Sequence, residues 1–442
     1  MSATAHYITD IVNEQVARAN QEAQPLYLLF IATKPCYVKL ASVVHALARS
    51  SLPHLIIDVG QHYDDVLTSA RQELDYASRL SVYLHVKGGL TDRTTLLSER
   101  INWLHDLLYK EMGLQQAAIP IVSGDTSTAG LVPVFWYLHE GIRSIHIEAG
   151  LRSFAPELDW KQDPATVLLQ QKTSTWGIRK EYPYPEGFDT RIASVPSQLL
   201  LAPVAQNEDN LLKEGYEEEL IRLSGSLSAD ALALAASKKA AQSIFTHYPQ
   251  LRDGQWLRVD VHRRENLNKA GLEVLLYGLK GYLGAGGQVV LILTNAMKSA
   301  IKSHGLGWQV EALQKVGLLV TDMWPSYLQV LEFIQSPQCL GVYTDSGGLQ
   351  EETHILDVPC ATFRWNTDRP ETVRQLQTNV LIPPVSPGFI TAALKAVFID
   401  KSIYPGRQGR APLYGTAVGE RIVNLLSNFR PQHGFFQQLT TF

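Results

Sequence analysis

The sequence predicts an α/β protein built from two doubly wound, Rossmann-like domains with a ligand cleft between them. Three observations carry this expectation. Apolar strand-like runs alternate with amphipathic helical stretches, glycine and proline punctuate the changeovers, and the rhythm starts twice, near Leu26 and near Trp256. A chain of 442 residues, 45% hydrophobic and 19% charged, is too long for one ordinary core and too apolar for disorder. Its formal net charge of −4, without a lysine or arginine run, argues against nucleic acid or an anionic membrane as partner. Cys36, Cys339 and Cys360 form no Cys-x-x-Cys pair, so neither a disulfide framework nor a zinc site is expected. No apolar stretch reaches the roughly 20 residues that span a bilayer, and the start lacks a signal-peptide pattern. A cytoplasmic enzyme is the resulting expectation.

Taken in order, residues 1–24 read as a helical extension, with Ile8, Ile11, Val12 and Val16 at helical spacing. The first domain, 25–205, shows strand-like runs at 26–33, 55–59, 118–123 and 144–148, with helical stretches at 38–47 and 129–138. Within it, about 154–190 breaks the rhythm. Pro156, Pro164, Pro183 and Pro185 mark a long loop, lid or insertion, and long loops inside domains are usually functional or disordered. The second domain, 206–414, opens with a helical stretch at 206–223 that suits a hinge. It continues with strands at 256–261, 288–294, 318–321, 339–344 and 360–364 and a helix at 270–283. Residues 415–442 are a helix and tail that suit either domain, with packing back on the first as the assignment. Ligands of such sheets bind beyond the carboxyl ends of the strands, so polar residues there are the candidates.

Four strings stand at such ends: His-Ile-Glu-Ala-Gly-Leu-Arg (146–152), Val-His-Arg-Arg-Glu-Asn (261–266), Thr-Asp-Ser-Gly-Gly-Leu-Gln-Glu-Glu (344–352) and Thr-Asp-Arg-Pro-Glu-Thr (367–372). Glu148 ends a strand and reads either as a poised acid or base or as a salt-bridge partner of Arg152. Asp125, in Ser-Gly-Asp-Thr-Ser-Thr (123–128), reads either as a helix cap or as a carboxylate facing the ligand. His262, Arg263 and Arg264 read either as a solvated basic turn or as groups matched to phosphate oxygens. Ser346-Gly347-Gly348 reads as a strand–turn–helix junction, either a tight turn alone or one whose exposed N–H groups bind an anion. Glu351 and Glu352 are expected in that helix's first turn, favoured by the dipole and able to accept from ribose hydroxyls.

Together with Ala32-Thr-Lys-Pro-Cys-Tyr-Val-Lys39, Gly60-Gln-His62 and Gly124-Asp-Thr126, these strings resemble the UDP-N-acetylglucosamine 2-epimerase family over residues 26–152 and 191–426. The resemblance implies a B-type glycosyltransferase-like fold and a UDP-sugar substrate. In the implied reaction the C2 proton is removed and UDP leaves C1 to give a glycal; UDP then adds back as C2 is protonated from the other face. It implies Asp125, Glu148 and Glu186 as catalytic carboxylates, with His262 assisting near the diphosphate. Lys34, Lys39, Arg152, Arg263, Ser346, Gly347, Gly348, Glu352 and Arg369 are implied in substrate and nucleotide binding, and Gln61 and His62 in regulation. Neither metal nor other cofactor is expected, and the partner is a second copy of the chain in a homodimer.

The chain departs from the family at identifiable places. The family's Pro-Glu-Glu-x-Asn-Arg string has its nearest counterpart in Pro185-Glu-Gly-Phe-Asp-Thr-Arg191, displaced by residues 154–184, with Glu157 after Pro156 as a rival for the role of Glu186. Lys34 and Cys36 replace the usual Arg and Glu, and a lysine is a point charge where arginine is a fork. Asp368 replaces a Glu. A hydrolysing 2-epimerase that releases UDP and N-acetylmannosamine, a glycosyltransferase of the same fold and a non-catalytic nucleotide-sugar sensor therefore stand as alternatives to the epimerase.

Overall fold

A computed structural model describes residues 4–60, 66–180, 185–406 and 413–431. In chain order the strands are β1 (His6–Tyr7), β2 (Leu26–Ile31), β3 (His54–Asp58), β4 (Leu80–Tyr83), β5 (Ala118–Ser123), β6 (Ser144–Ile147), β7 (Phe154–Pro156) and β8 (Trp176–Ile178). They continue with β9 (Ser197–Ala202), β10 (Ile221–Leu223), β11 (Trp256–Asp260), β12 (Gln288–Leu293), β13 (Leu319–Asp322), β14 (Cys339–Thr344), β15 (Cys360–Thr362) and β16 (Asn379–Leu381). Two compact units result, one from described residues within 1–151, 181–237 and 413–442, the other from 152–180 and 238–412.

The first unit holds a sheet of order β1-β4-β3-β2-β5-β6-β9-β10, parallel except for the short edge strand β1. Every residue of β2, β5 and β9 is buried, as expected for strands covered on both faces, which explains their continuous apolar runs. The second unit holds an all-parallel sheet of order β13-β12-β11-β14-β15-β16. Along the helix Lys269–Gly284 the residues Leu272, Leu275, Leu276 and Leu279 form the i, i+3, i+4, i+7 stripe that turns to the core of this unit. Both sheets have the doubly wound α/β arrangement expected from the alternation. Among the described residues, no helix is long and apolar enough to cross a membrane.

The division runs differently from the sequence expectation in two places. The first is the segment expected as a long loop in the first domain: residues 152–180 belong to the second unit. They form the antiparallel hairpin β7–β8 and the helix Pro164–Gln170, whose Val167 and Leu168 enter the second unit's core beside Leu275, Leu279, Phe389 and Ile390. The apolar run Val167-Leu168-Leu169 among prolines and polar residues gave too short a pattern to assign. The second is the stretch expected as a hinge. Residues 206–223 hold the helix Ala205–Lys213 and then β10, and the chain remains in the first unit as far as Ser237. There Asp230 accepts from Val418 N (3.0 Å) and Gly419 N (2.7 Å), seating the helix Val418–Asn428 on the first unit.

Leu168 has no exposed surface. Leu168→Ala is expected to cost about 2–5 kcal/mol, seen as an earlier urea transition of the second unit; an unchanged transition would put this helix outside the core.

Candidate active site

In the first unit the polar groups gather beyond β5 and β6. Glu148 follows β6 with φ +61°, a left-handed conformation that side-chain-bearing residues seldom adopt. The turn is held from below. Gly150 O accepts from Asn207 Nδ2 (3.2 Å) and Asn210 Nδ2 (2.9 Å) on the helix Ala205–Lys213. A Cβ on Gly150 would come within 2.2 Å of Asn207 O, and φ is +80°, so only glycine fits. The carboxylate of Glu148 is 5% exposed and accepts from Lys39 Nζ at 2.6 Å. Lys39 ends the helix Lys34–Lys39, which Lys34 opens. The salt-bridge expectation for Glu148 is thus met by Lys39.

Asp125 adjoins this turn through Gly124, whose Cβ position lies 3.2 Å from Glu148 Oε2. His146 Nε2 donates to Gly124 O at 2.8 Å, tying β6 to the same loop. Asp125 is not the helix cap, because Thr126 Oγ1 accepts from Ala129 N at 3.2 Å to begin the helix Ser127–Glu140. Facing that helix start is Asp189, whose Oδ2 accepts from Ser127 Oγ at 3.0 Å. Burial pushes its carboxyl up to about 6, with the charge of Asp125 adding to the effect and Ser127 and Arg93 opposing it. Glu186 opens the helix Glu186–Ser194 in this unit and is half-buried, whereas Glu157 is exposed at the end of β7 in the other.

In the second unit one buried carboxylate organises the site. Asp345, just after β14 and fully buried, accepts from His262 N (3.1 Å), Arg263 N (2.9 Å) and Asn266 Nδ2 (2.9 Å). His262 Nδ1 lies 3.2 Å from Asp260 Oδ1 and 3.3 Å from Asp345 Oδ1. Burial disfavours the imidazolium, but Asp345 and Asp260 outweigh it and raise the pKa to about 9. Burial likewise opposes the charge of Asp260, and Arg258, 3.0 Å away, with His262 holds it well below the usual carboxylate range.

Arg364 grips Asp368 with both ends of its guanidinium, at 2.9 and 3.2 Å, while Arg263 Nη2 adds a third contact at 3.2 Å. These arginines overcome burial and keep Asp368 far below its ordinary pKa. A Cβ on Gly347 would stand 3.9 Å from Asp368 Oδ2 and 4.0 Å from Arg263 Nη2. Gly347 and Gly348 begin the helix Gly347–Leu356, capped by Ser346 Oγ, so free N–H groups and arginines share one place. Glu351 and Glu352 lie a turn deeper than expected. Glu351 pairs with Arg369 and Glu352 accepts from Tyr327 OH at 3.3 Å, so their charges meet side chains and not the first-turn amides.

The structure therefore groups Lys39, Asp125 and Glu148 in one unit and His262, Arg263, Ser346, Gly347, Gly348, Glu352 and Arg369 in the other. Gln61 and His62 lie outside the described residues. Asp189, Asp260, Asp345 and Arg364 are residues that sequence reasoning missed. Asp345 lies within the 344–352 string just after β14 and Asp260 ends β11 beside the 261–266 string, which was the available signal; for Asp189 and Arg364 the burial that gives them weight is not visible in local sequence.

A family model described as UDP-N-acetylglucosamine 2-epimerase matches residues 177–427. The chain belongs to the UDP-N-acetylglucosamine 2-epimerase family. It is 26% identical over 405 residues to the UDP-N-acetylglucosamine 2-epimerase of Methanocaldococcus jannaschii, covering 90% of this chain and 98% of that one. It is also 26% identical to the UDP-2,3-diacetamido-2,3-dideoxy-D-glucuronate 2-epimerase of Pseudomonas aeruginosa, over 86% of this chain and 96% of the relative. The crystal structure of the Methanocaldococcus jannaschii UDP-GlcNAc 2-epimerase in complex with UDP-GlcNAc and UDP aligns with a TM-score of 0.72 at 24% identity, covering 92% and 100% of the two chains. That likeness extends the two-Rossmann fold of the family to this member.

For this epimerase-family site a pH test follows. A folded-state pKa of about 9 against 6.5 unfolded means that His262 contributes stability in full below 6.5, and that this is lost as pH rises through about 9. An NMR titration of the His262 ring should give a midpoint near 9 that falls in Asp260→Asn; a midpoint near 6.5 in the unaltered chain would contradict the carboxylate clamp.

Proposed function

We propose that the protein is a nucleotide-sugar 2-epimerase interconverting UDP-N-acetylglucosamine, or a close relative, with its C2 epimer. The observation that carries this reading is the Glu148 turn. A buried carboxylate is held in a strained backbone conformation, paired with Lys39 and set beside Asp125, within a chain of the 2-epimerase family. Inversion at C2 needs a base for the departing proton and an acid for the returning one, and the first unit concentrates carboxylates of different character. Glu148 is ion-paired, while burial lifts the Asp189 carboxyl to about 6. The second unit supplies what a diphosphate needs: His262 charged at neutral pH, Arg263 and the opening N–H groups of the helix Gly347–Leu356.

In the proposed sequence, the C2–H bond breaks with its proton taken by one carboxylate, and the C1–O bond breaks with UDP leaving on the cationic set. UDP then re-forms the C1–O bond as C2 receives a proton on the opposite face. Glu148 and Asp125 are assigned the proton work, Glu186 is preferred to the exposed Glu157 for the displaced family glutamate, and Arg369 is placed with the nucleotide. The Pseudomonas aeruginosa relative, named for a different sugar, supports leaving the sugar substituents open. A cytoplasmic location accords with the free thiols Cys36, Cys339 and Cys360.

Incubation with UDP-N-acetylglucosamine in deuterated water, followed by NMR, tests the reading. Deuterium at C2 with intact UDP-sugar is expected. Free UDP and sugar would identify the hydrolysing reaction instead, and no exchange would reject both. Glu148→Gln should lower exchange by at least ~100-fold while UDP still binds.

We further propose that two copies pair through the helices Ser127–Glu140 and Glu186–Ser194. Leu138 is 74% exposed, Phe188 63% and, just beyond, Val195 70%. Sedimentation equilibrium should show a dimer that Leu138→Glu dissociates; a monomer in the unaltered chain would reject it.

A further inference from the structure

The segment 152–180 has no part in the proposed proton chemistry, yet the ties of its first residues converge on one loop. The loop from Arg364 to Arg369 follows β15 and is bonded to both halves of the anion grip. Asp368 holds Arg263, Arg369 pairs with Glu351, and Thr367 Oγ1 donates to Gln350 Oε1 at 2.6 Å, all within the second unit. Residues 153–160 clasp this loop at three successive positions. Ser153 Oγ donates to Asn366 Oδ1 at 2.8 Å, and the same Oδ1 accepts from Arg364 Nη2 at 2.6 Å. Phe154 and Thr367 exchange both backbone hydrogen bonds at 2.8 Å, forming an isolated antiparallel bridge. Trp160 meets Trp365 edge to face at 5.4 Å, and packs on Phe389 of the unit's core.

Ser153 and Arg364 are almost completely buried, at 2% exposure each. A buried amide oxygen that loses one of two donors, with the other donor an arginine already committed to Asp368, leaves the loop with a slack end. Because Asp368 holds the Arg263 guanidinium together with Asp345 O, the slack reaches a residue assigned to the diphosphate.

We propose that residues 153–179 form a strap that presets the Arg364–Arg369 loop, with Ser153 and Asn366 as positioning residues that set affinity for the nucleoside diphosphate. This deepens the nucleotide-sugar reading and rests on it. The strap acts on binding, so its loss appears in KM and not in turnover.

The test uses the full chain and UDP as the probe, with calorimetry for binding and steady-state kinetics on UDP-N-acetylglucosamine. Ser153→Ala is expected to weaken UDP and raise KM about tenfold, the size of one lost buried hydrogen bond, with kcat within about twofold and the melting temperature little changed. Asn366→Ala should weaken UDP comparably, and the double variant little further than either single one, because both break the same link. Unchanged UDP affinity in Ser153→Ala, additive losses in the double variant, or a fall in kcat at constant KM would overturn the strap. If the unaltered chain fails to bind UDP, the diphosphate reading itself falls; if it binds UDP and Ser153→Ala matches it, only the strap does.

Discussion

The second unit's site depends on the buried negative charge of Asp345. A carboxylate at a strand end, removed from water, must be repaid with donors, and three come from the 261–266 turn, whose conformation is thereby fixed. Its charge, with that of Asp260, keeps a proton on His262. Arg263 is held from both sides, its Nε on Asp345 O and its Nη2 on Asp368. The residue then hands the chain to Ser346 and the helix whose first amides are open. One ion thus aligns a turn, an imidazolium, a guanidinium and a helix end, which are the parts of an anion site.

The first unit solves a different problem by different means. Here the buried carboxylate of Glu148 sits on a turn just after a strand, where the backbone takes a left-handed conformation. Such a conformation persists only where the surroundings over-determine it. Gly150, clamped by Asn207 and Asn210, provides that restraint from one side, and the Lys39 contact restrains the carboxylate from the other. Removal of Lys39 would leave a buried, uncompensated charge, which is why the pair binds the helix Lys34–Lys39 to the strand end as well as serving the site.

How much of this was legible in the sequence varies with the length of the pattern that encodes it. Alternating apolar runs and glycine-punctuated helices revealed both sheets, because periodicity over many residues is a strong signal. The strings around Glu148, His262 and Ser346 were visible as polar clusters at strand ends. What stayed hidden was partnership. That Glu148 would pair with Lys39, or that Thr126 and not Asp125 would cap the helix, depends on which elements meet in space. The weight of Asp189 comes from burial against a helix start, and that of Arg364 from Asp368, neither of which leaves a local mark. The segment 152–180 was misplaced for the same reason: Val167 and Leu168 are too few to announce a core face.

That segment has one more effect, at the side of the second sheet. β16 is the last strand, and its outer backbone groups would ordinarily be open to another chain. Gln171 closes the pair at Leu381 with its side chain alone. Its Oε1 accepts from Leu381 N at 2.8 Å and its Nε2 donates to Leu381 O at 2.7 Å, the pair of bonds a neighbouring strand would make. A single buried amide therefore makes, at Leu381, the bonds of a strand without supplying one. The insertion thereby takes one backbone pair of this edge out of reach of a second strand, a consequence independent of catalysis.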